Sequence, residues 1–281
     1  MKQVTIQVPH PQGSNDALDL AVWEGGSGPV ILAVHGMCDS KSTWRSIFEP
    51  LVSLGYRVAA IDMPGIGDSD IPDDPSFYRG KNQTAVLLSL MNILSEEPIV
   101  LMGSSLGTIY CTAAAQAHPE RVAALILIGP PGRSTRVPPL SLVASWVRRL
   151  GPGMDRFVPW ERLVRMTYRI VFHDTRRVPP EAIAESTRLI GSVKRRAAMT
   201  SIANEVRLNS TGKHSFFDDV WRALSLTKVP TLVLTGDHDR VCSAEGGRAV
   251  AHQMPDAVFK IIESCGHLPH LEQPQATMAR L

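Results

Sequence analysis

The stretch Ile99-Val-Leu-Met-Gly103-Ser104-Ser105-Leu106-Gly107 joins an apolar strand to the pattern G-x-S-x-G, and a helical segment follows it. A serine on such a sharp strand-to-helix turn has a strained backbone, and glycines on both sides remove the Cβ atoms that would crowd it. Ser105 then lies at a helix N-terminus, where developing negative charge is favoured. A structural Gly/Ser turn is the alternative, but the strand–turn–helix context predicts a nucleophile.

Around this stretch, short runs rich in Val, Ile and Leu alternate with longer segments of helical pattern. Runs of this kind are typical of strands buried on both faces of a sheet. Their alternation with helices predicts the α/β class, with a mostly parallel eight-stranded sheet, flanking helices and an antiparallel first hairpin. The predicted strands are Val4–Val8, Leu18–Trp23, Val30–Val34, Val58–Ile61, Ile99–Met102, Ala124–Ile128, Thr231–Leu234 and Val258–Ile262, and the predicted helices lie near 41–54, 79–94, 105–117, 243–254 and 269–281.

About a hundred residues between the sixth and seventh of these runs carry helical patterns, at 140–150, 160–172 and 180–208, and no strand pattern. We therefore expect a core formed by 1–130 and 226–281 and an inserted helical cap at 131–225. Residues 133–222 contain 17 Lys/Arg and 8 Asp/Glu, a net charge of +9, which leaves −7 for the rest of the chain. The basic insert is either an ordinary solvated surface or a device for anionic substrates or partners.

Composition narrows the functional classes. The net charge of +2 over 281 residues argues against a nucleic-acid-binding protein. The four cysteines form no CxxC pair or zinc spacing, which predicts reduced thiols and no metal site. There is no signal-peptide pattern and no run of 18 apolar residues, so we expect a cytoplasmic protein without a membrane span.

A serine nucleophile needs a histidine base and a carboxylate that orients it, in the chain order Ser, Asp, His. Asp237 and Asp239 both follow a strand end, and either could instead be a turn residue or helix cap. His267 follows the last strand and is the preferred base, with His35, His238 and His270 as competitors. The oxyanion needs two fixed N–H donors. One is the amide of Leu106, and the other is expected in the loop 34–38.

These motifs together resemble the α/β-hydrolase superfamily over about 20–281. The resemblance rests on His35-Gly36, on Asp62-Met-Pro64-Gly65-Ile-Gly67-Asp-Ser69, on Gly103–Gly107, on Gly236–Asp239 and on Gly266-His267. It implies Ser105 as nucleophile, Asp239 as acid, His267 as base, the Met37 and Leu106 amides as oxyanion hole, the insert as lid, and no cofactor. The chain departs from the family at Cys242, where proline is usual, and in a second histidine, His270.

The resulting expectation is a serine hydrolase that cleaves an ester or similar acyl bond of a small-molecule substrate. A serine at the elbow argues against the epoxide hydrolases and dehalogenases of the family, which use aspartate. The main alternative is a C–C bond hydrolase of vinylogous diketones, as in meta-cleavage product hydrolases, with Arg188 as partner of a substrate carboxylate. An acyltransferase, a perhydrolase and a non-catalytic binding protein also remain open, and the oligomeric state is not predicted. Candidate pocket residues in the cap, which could equally be ordinary packing, are Trp146, Met166, Tyr168 and Phe172.

Overall fold

The computed structural model describes residues 1–13, 16–132, 157–210 and 216–281, with only the backbone for 206–210. Its centre is an eight-stranded sheet in the order β1-β2-β4-β3-β5-β6-β7-β8. The β1–β2 and β2–β4 pairs are antiparallel and the remaining pairs are parallel. Each of the eight predicted strands is present, so the predicted fold class is confirmed. The strands are β1 Lys2–Pro9, β2 Ala17–Gly25, β3 Val30–Val34, β4 Arg57–Ile61, β5 Ile99–Ser104, β6 Val122–Ile128, β7 Thr231–Gly236 and β8 Ala257–Ile262.

Helices occur where the patterns predicted them, with two interruptions, and one further helix, Phe216–Arg222, was not predicted. The 180–208 pattern is interrupted at Ser192, whose backbone is extended. The C-terminal pattern is broken at Gln273, which also leaves the helical region and precedes a proline. The predicted helix 140–150 lies outside the described residues. The helices are α1 Arg45–Ser53, α2 Gly80–Leu94, α3 Leu106–Ala117, α4 Trp160–Val171, α5 Pro180–Gly191, α6 Val193–Ser210, α7 Phe216–Arg222, α8 Ala244–Gln253, α9 Pro269–Glu272 and α10 Pro274–Met278.

The sheet is covered on both faces. All five residues of β3 are buried, and two apolar clusters lie on opposite sides of the strands. This is the reason why the central strands read as continuous apolar runs rather than as alternating ones.

The parallel strands β5, β6, β7 and β8 run side by side, with Ser104 opposite Ile128 and Gly236 opposite Ile262. Their carboxyl ends therefore meet at one edge of the sheet, where active groups of open α/β sheets gather. Between β6 and β7, the described residues form the helices α4 to α7 and no strand.

Candidate active site

Ser105 occupies the turn between β5 and α3 with φ 48° and ψ −118°, a left-handed value that is uncommon for a residue with a side chain. Two contacts hold this turn: the Ser105 N–H donates to the Ile128 carbonyl at 2.8 Å, and the Thr108 hydroxyl donates to the Ser105 carbonyl at 2.6 Å. A Cβ on Gly103 would lie 2.7 Å from the backbone of the next turn, and one on Gly107 would overlap the Val34 carbonyl. The glycines of G-x-S-x-G are therefore required by close backbone approach.

His267 and Asp239 form a buried pair. The His267 Nδ1 lies 2.7 Å from Asp239 Oδ2, with side chains 6% and 0% exposed. The other carboxylate oxygen, Oδ1, accepts the N–H groups of Val241 and Cys242, each at 2.8 Å. Both carboxylate oxygens thus accept hydrogen bonds, as an ionised carboxylate does. Asp239 Oδ2 accepts the Nδ1 proton, which leaves Nε2 of the neutral ring as the acceptor.

Asp237, the other candidate acid, faces a different group. Its Oδ1 lies 2.7 Å from Nδ1 of the exposed His238 and accepts the Cys265 N–H at 3.0 Å. Partial burial raises the Asp237 pKa, but the hydrogen bonds from His238 and from the backbone outweigh this and lower it to about 2. The structure therefore pairs His267 with Asp239, and Asp237 braces the loop that precedes His267.

Backbone contacts connect the pair to the serine turn. A Cβ on Gly129 would lie 3.0 Å from His267 Nδ1, and Gly129 directly follows Ile128, the acceptor of the Ser105 N–H. A Cβ on Gly36 would lie 3.0 Å from the Ser105 Cβ. The loops after β3, β5, β6 and β8 thus come together at one point.

The loop after β3 is held by His35, which is buried. Met63 N–H donates to His35 Nε2 at 3.0 Å, so this nitrogen is the acceptor and the proton lies on Nδ1, 2.7 Å from the Gly36 carbonyl. The Gly36 carbonyl and the Met37 N–H belong to one planar peptide and point in opposite directions. His35 therefore sets the orientation of the Met37 N–H. The Leu106 N–H is the first of α3 and has no acceptor within its own helix.

The D-x-P-G-x-G-x-S segment, residues 62–69, helps to hold the loop after β3. Asp62 is fully buried and accepts the backbone N–H of Lys41 at 2.7 Å and its ammonium group at 2.5 Å. A Cβ on Gly67 would overlap the Asp62 carboxylate, and the Ser69 hydroxyl donates to the Asp62 carbonyl at 2.6 Å. The motif fixes the backbone at Met63, and through Met63 it fixes His35.

The candidate pocket residues have different surroundings. Phe172 and Tyr168 are 1% and 8% exposed and pack edge to face at 5.5 Å, and the Tyr168 hydroxyl lies 3.1 Å from the Ser186 hydroxyl in α5. Met166 is 53% exposed and lies on the opposite side of α4, and Trp146 lies outside the described residues. Arg188 forms ion pairs with Asp68 at 3.1 Å and Glu185 at 2.7 Å, beside a cavity of about 480 Å³ whose lining does not include Ser105 or His267.

Among the remaining titratable candidates, His270 and three of the cysteines are buried, and Cys38 is partly exposed. His270 stacks on Trp44 at 4.5 Å, and its Nε2 lies 2.9 Å from the Thr43 hydroxyl. Burial, with a smaller effect of His267, lowers the His270 pKa to about 3. All four cysteines are free, and burial with the adjacent Asp39 carboxylate raises the Cys38 pKa to about 12. Within the described ranges, no group of three or more His, Cys, Asp or Glu side chains could hold a metal ion, and no helix is long and apolar enough to cross a membrane.

Comparisons with known proteins identify the family and the fold. A family model described as the alpha/beta hydrolase fold matches residues 29–274. A 2-hydroxy-6-oxononadienedioate/2-hydroxy-6-oxononatrienedioate hydrolase of Pseudomonas putida is 26% identical over 254 residues, 89% of this chain and 85% of that protein. A thermophilic esterase from Thermogutta terrifontis superposes with a TM-score of 0.76 at 26% identity, covering 99% of this chain and 96% of the esterase. A meta-cleavage product hydrolase from Pseudomonas fluorescens shares the fold, with a TM-score of 0.76 at 21% identity, covering 98% and 94%. The chain belongs to the α/β-hydrolase fold family.

Proposed function

We propose that the protein is a serine hydrolase that cleaves an ester or similar acyl bond of a small molecule. The observation that carries this proposal is the buried Asp239–His267 pair beside the strained turn of Ser105. A neutral imidazole with its proton on Nδ1 presents Nε2 as a base, which is the group that a serine nucleophile requires.

The reaction has two halves. Ser105 Oγ attacks the acyl carbon while His267 Nε2 takes its proton, and Asp239 stabilises the imidazolium that forms. The imidazolium then protonates the leaving alcohol, and an acyl-enzyme remains on Ser105. Water adds to the acyl carbon, with His267 as base, and the acid leaves as Ser105 regains its proton.

Charge develops on the carbonyl oxygen in both halves. The N–H groups of Met37 and Leu106 are the proposed donors, since the first is oriented through His35 and the second, at the start of α3, has no acceptor within its own helix. The α3 N-terminus adds a favourable dipole at the same place. Residues 131–225 are the proposed cap, with Tyr168 and Phe172 as its contribution to the acyl pocket.

A second candidate is hydrolysis of a C–C bond in a vinylogous diketone. It is favoured by the relatives named as hydroxy-oxo-dienedioate hydrolases, which match 86–90% of this chain at 26–29% identity. Arg188 does not support this candidate, because Asp68 and Glu185 already compensate its charge. A substrate carboxylate would have to displace one of them.

The test is steady-state hydrolysis of p-nitrophenyl esters with acyl chains of two to about sixteen carbons, since each buried methylene contributes ~0.8 kcal/mol. Ser105→Ala should lose turnover by orders of magnitude with a nearly unchanged melting temperature. Ser104→Ala is the matched control, because the Ser104 hydroxyl is buried and has no hydrogen-bond partner among the residues that the structure describes. Turnover retained in Ser105→Ala would refute the nucleophile. Wild type that cleaves a vinylogous diketone and no ester would favour the second candidate.

A further inference from the structure

Glu272, in α9, is a buried carboxylate whose contacts in the described part of the chain are N–H groups and a thiol. It is 4% exposed and accepts the backbone N–H of Gly266 at 2.8 Å, of Asp174 at 2.8 Å and of His173 at 3.2 Å. The Cys265 thiol lies 3.8 Å from the same carboxylate. A buried carboxylate is costly unless its oxygens are satisfied, and here three N–H donors satisfy them.

These donors come from two different parts of the chain. Gly266 directly precedes His267, whereas His173 and Asp174 follow the C-terminus of α4. One carboxylate therefore bridges the loop of the proposed base and the segment between α4 and α5.

A second contact joins the same two segments. The His267 N–H donates to the Val171 carbonyl, at the end of α4, at 2.6 Å. The backbones are so close that a Cβ on Gly266 would lie 2.8 Å from the His173 nitrogen and would overlap the Val171 carbonyl. The loop at His267 therefore packs against the end of α4, and the Glu272 carboxylate links the same two segments through its hydrogen bonds.

We propose that Glu272 is a positioning residue for His267, and that its carboxylate couples the imidazole to the C-terminal end of α4. The catalytic part of this proposal rests on the proposed function. Phe172 lies between Val171 and His173, the two residues of this segment that are held by His267 and Glu272. The same hydrogen bonds therefore set the position of this proposed pocket residue relative to His267. In this arrangement the end of α4 is a fixed point of the proposed cap, and any opening of the cap occurs elsewhere.

Glu272→Gln tests the coupling, because an amide has one acceptor oxygen and must turn its NH₂ group towards a backbone N–H. We expect kcat on p-nitrophenyl esters to fall about 10²-fold with little change in KM, the loss typical of a misplaced catalytic group. Glu272→Asp keeps the charge one methylene shorter and should recover part of kcat. Glu263→Gln is the matched control. This exposed glutamate lies on the loop between β8 and His267, so its substitution should change neither kcat nor KM.

A readout that does not depend on turnover is amide hydrogen exchange. Glu272→Gln should speed exchange at 173–174 and at 266–267 together, and leave the central strands protected. The resonance of the His267 Nδ1 proton, which reports its bond to Asp239, should also shift. Unchanged exchange and an unchanged resonance would overturn the coupling, and so would a kcat loss that comes only with global loss of protection. If wild type hydrolyses no ester, the proposed function fails, while exchange and resonance still decide the coupling.

Discussion

Asp239→Asn is the sharpest test of the proposed triad, because the structure fixes which way the new amide must point. The Oδ1 position receives the N–H groups of Val241 and Cys242, each at 2.8 Å. The amide oxygen must occupy this position, since an NH₂ group there would face two donors. The NH₂ group then lies 2.7 Å from His267 Nδ1, at the place of Oδ2, and donates to it. Nδ1 becomes an acceptor and the ring proton moves to Nε2.

A histidine with its proton on Nε2 cannot take the proton of Ser105. The expected loss in kcat is about 10⁴-fold, the size seen when a triad histidine is held in the wrong tautomer, which corresponds to ~5.4 kcal/mol of transition-state stabilisation. The assay is single-turnover and steady-state hydrolysis of the best p-nitrophenyl ester, with circular dichroism to show that the fold is kept.

Asp237→Asn is the matched control, two residues away in the same loop. Its amide oxygen can still accept the Cys265 N–H, so we expect a loss of less than about tenfold, or ~1.4 kcal/mol. A larger loss in Asp237→Asn than in Asp239→Asn would give Asp237 the acid role. A loss below about tenfold in Asp239→Asn would refute the tautomer argument.

Three further predictions concern the supports of the site. Lys41→Met should lower the free energy of unfolding by about 3–5 kcal/mol in urea titrations, because it leaves the fully buried Asp62 without its cation; Asp68→Asn, at a half-exposed partner, should cost about 1 kcal/mol or less. His35→Phe keeps an aromatic ring but removes both ring nitrogens and so frees the Gly36–Met37 peptide. We expect kcat to fall by up to about 10²–10³-fold, and an unchanged kcat would remove Met37 from the oxyanion hole. His270→Gln should flatten the dependence of the unfolding free energy on pH. The pKa of His270 is about 3 in the folded state, whereas an unfolded histidine titrates near 6.5. Between these two pH values only the unfolded state binds the proton, so the folded wild type loses stability as pH falls. Urea titrations between pH 4 and 6 should show a slope smaller by up to about 1.4 kcal/mol per pH unit, and an unchanged slope would contradict the burial of a neutral His270.

The strands could be predicted because their signal is local and strong. Buried parallel strands such as β3 and β5 are apolar on both faces, and each is bounded by turn residues. The helix breaks at Ser192 and Gln273 could not be predicted in the same way. The first lies within a stretch of helical pattern, where Gly191 directly before it is only a weak signal for a helix end. The second had a weak local signal, the proline at 274.

In the candidate site, too, features encoded by neighbouring residues could be predicted, and those that depend on contacts between distant residues could not. The turn at Ser105 was predictable because its glycines, its strand and its helix start are all encoded within nine residues, whereas the role of Ser105 as nucleophile stays a prediction. The residues alone left Asp237 and Asp239 open, because both follow β7. The resemblance favoured Asp239, and the structure places Asp239 against His267 and Asp237 against His238. His35 was visible as part of a motif, but its tautomer depends on an N–H group at Met63, 28 positions away. Glu272 gave no signal, because its partners are backbone groups that any sequence possesses.

The backbone N–H of Cys242 makes a hydrogen bond that a motif of side chains does not record. The resemblance places proline at this position, and a proline has no N–H to donate. In this chain the Cys242 N–H donates to Asp239 Oδ1 at 2.8 Å, beside that of Val241. The residue that departs from the motif therefore adds a backbone N–H donor to the Asp239 carboxylate. Although the sequence departs from the family motif at Cys242, its N–H is a second anchor, beside that of Val241, for the carboxylate that pairs with His267.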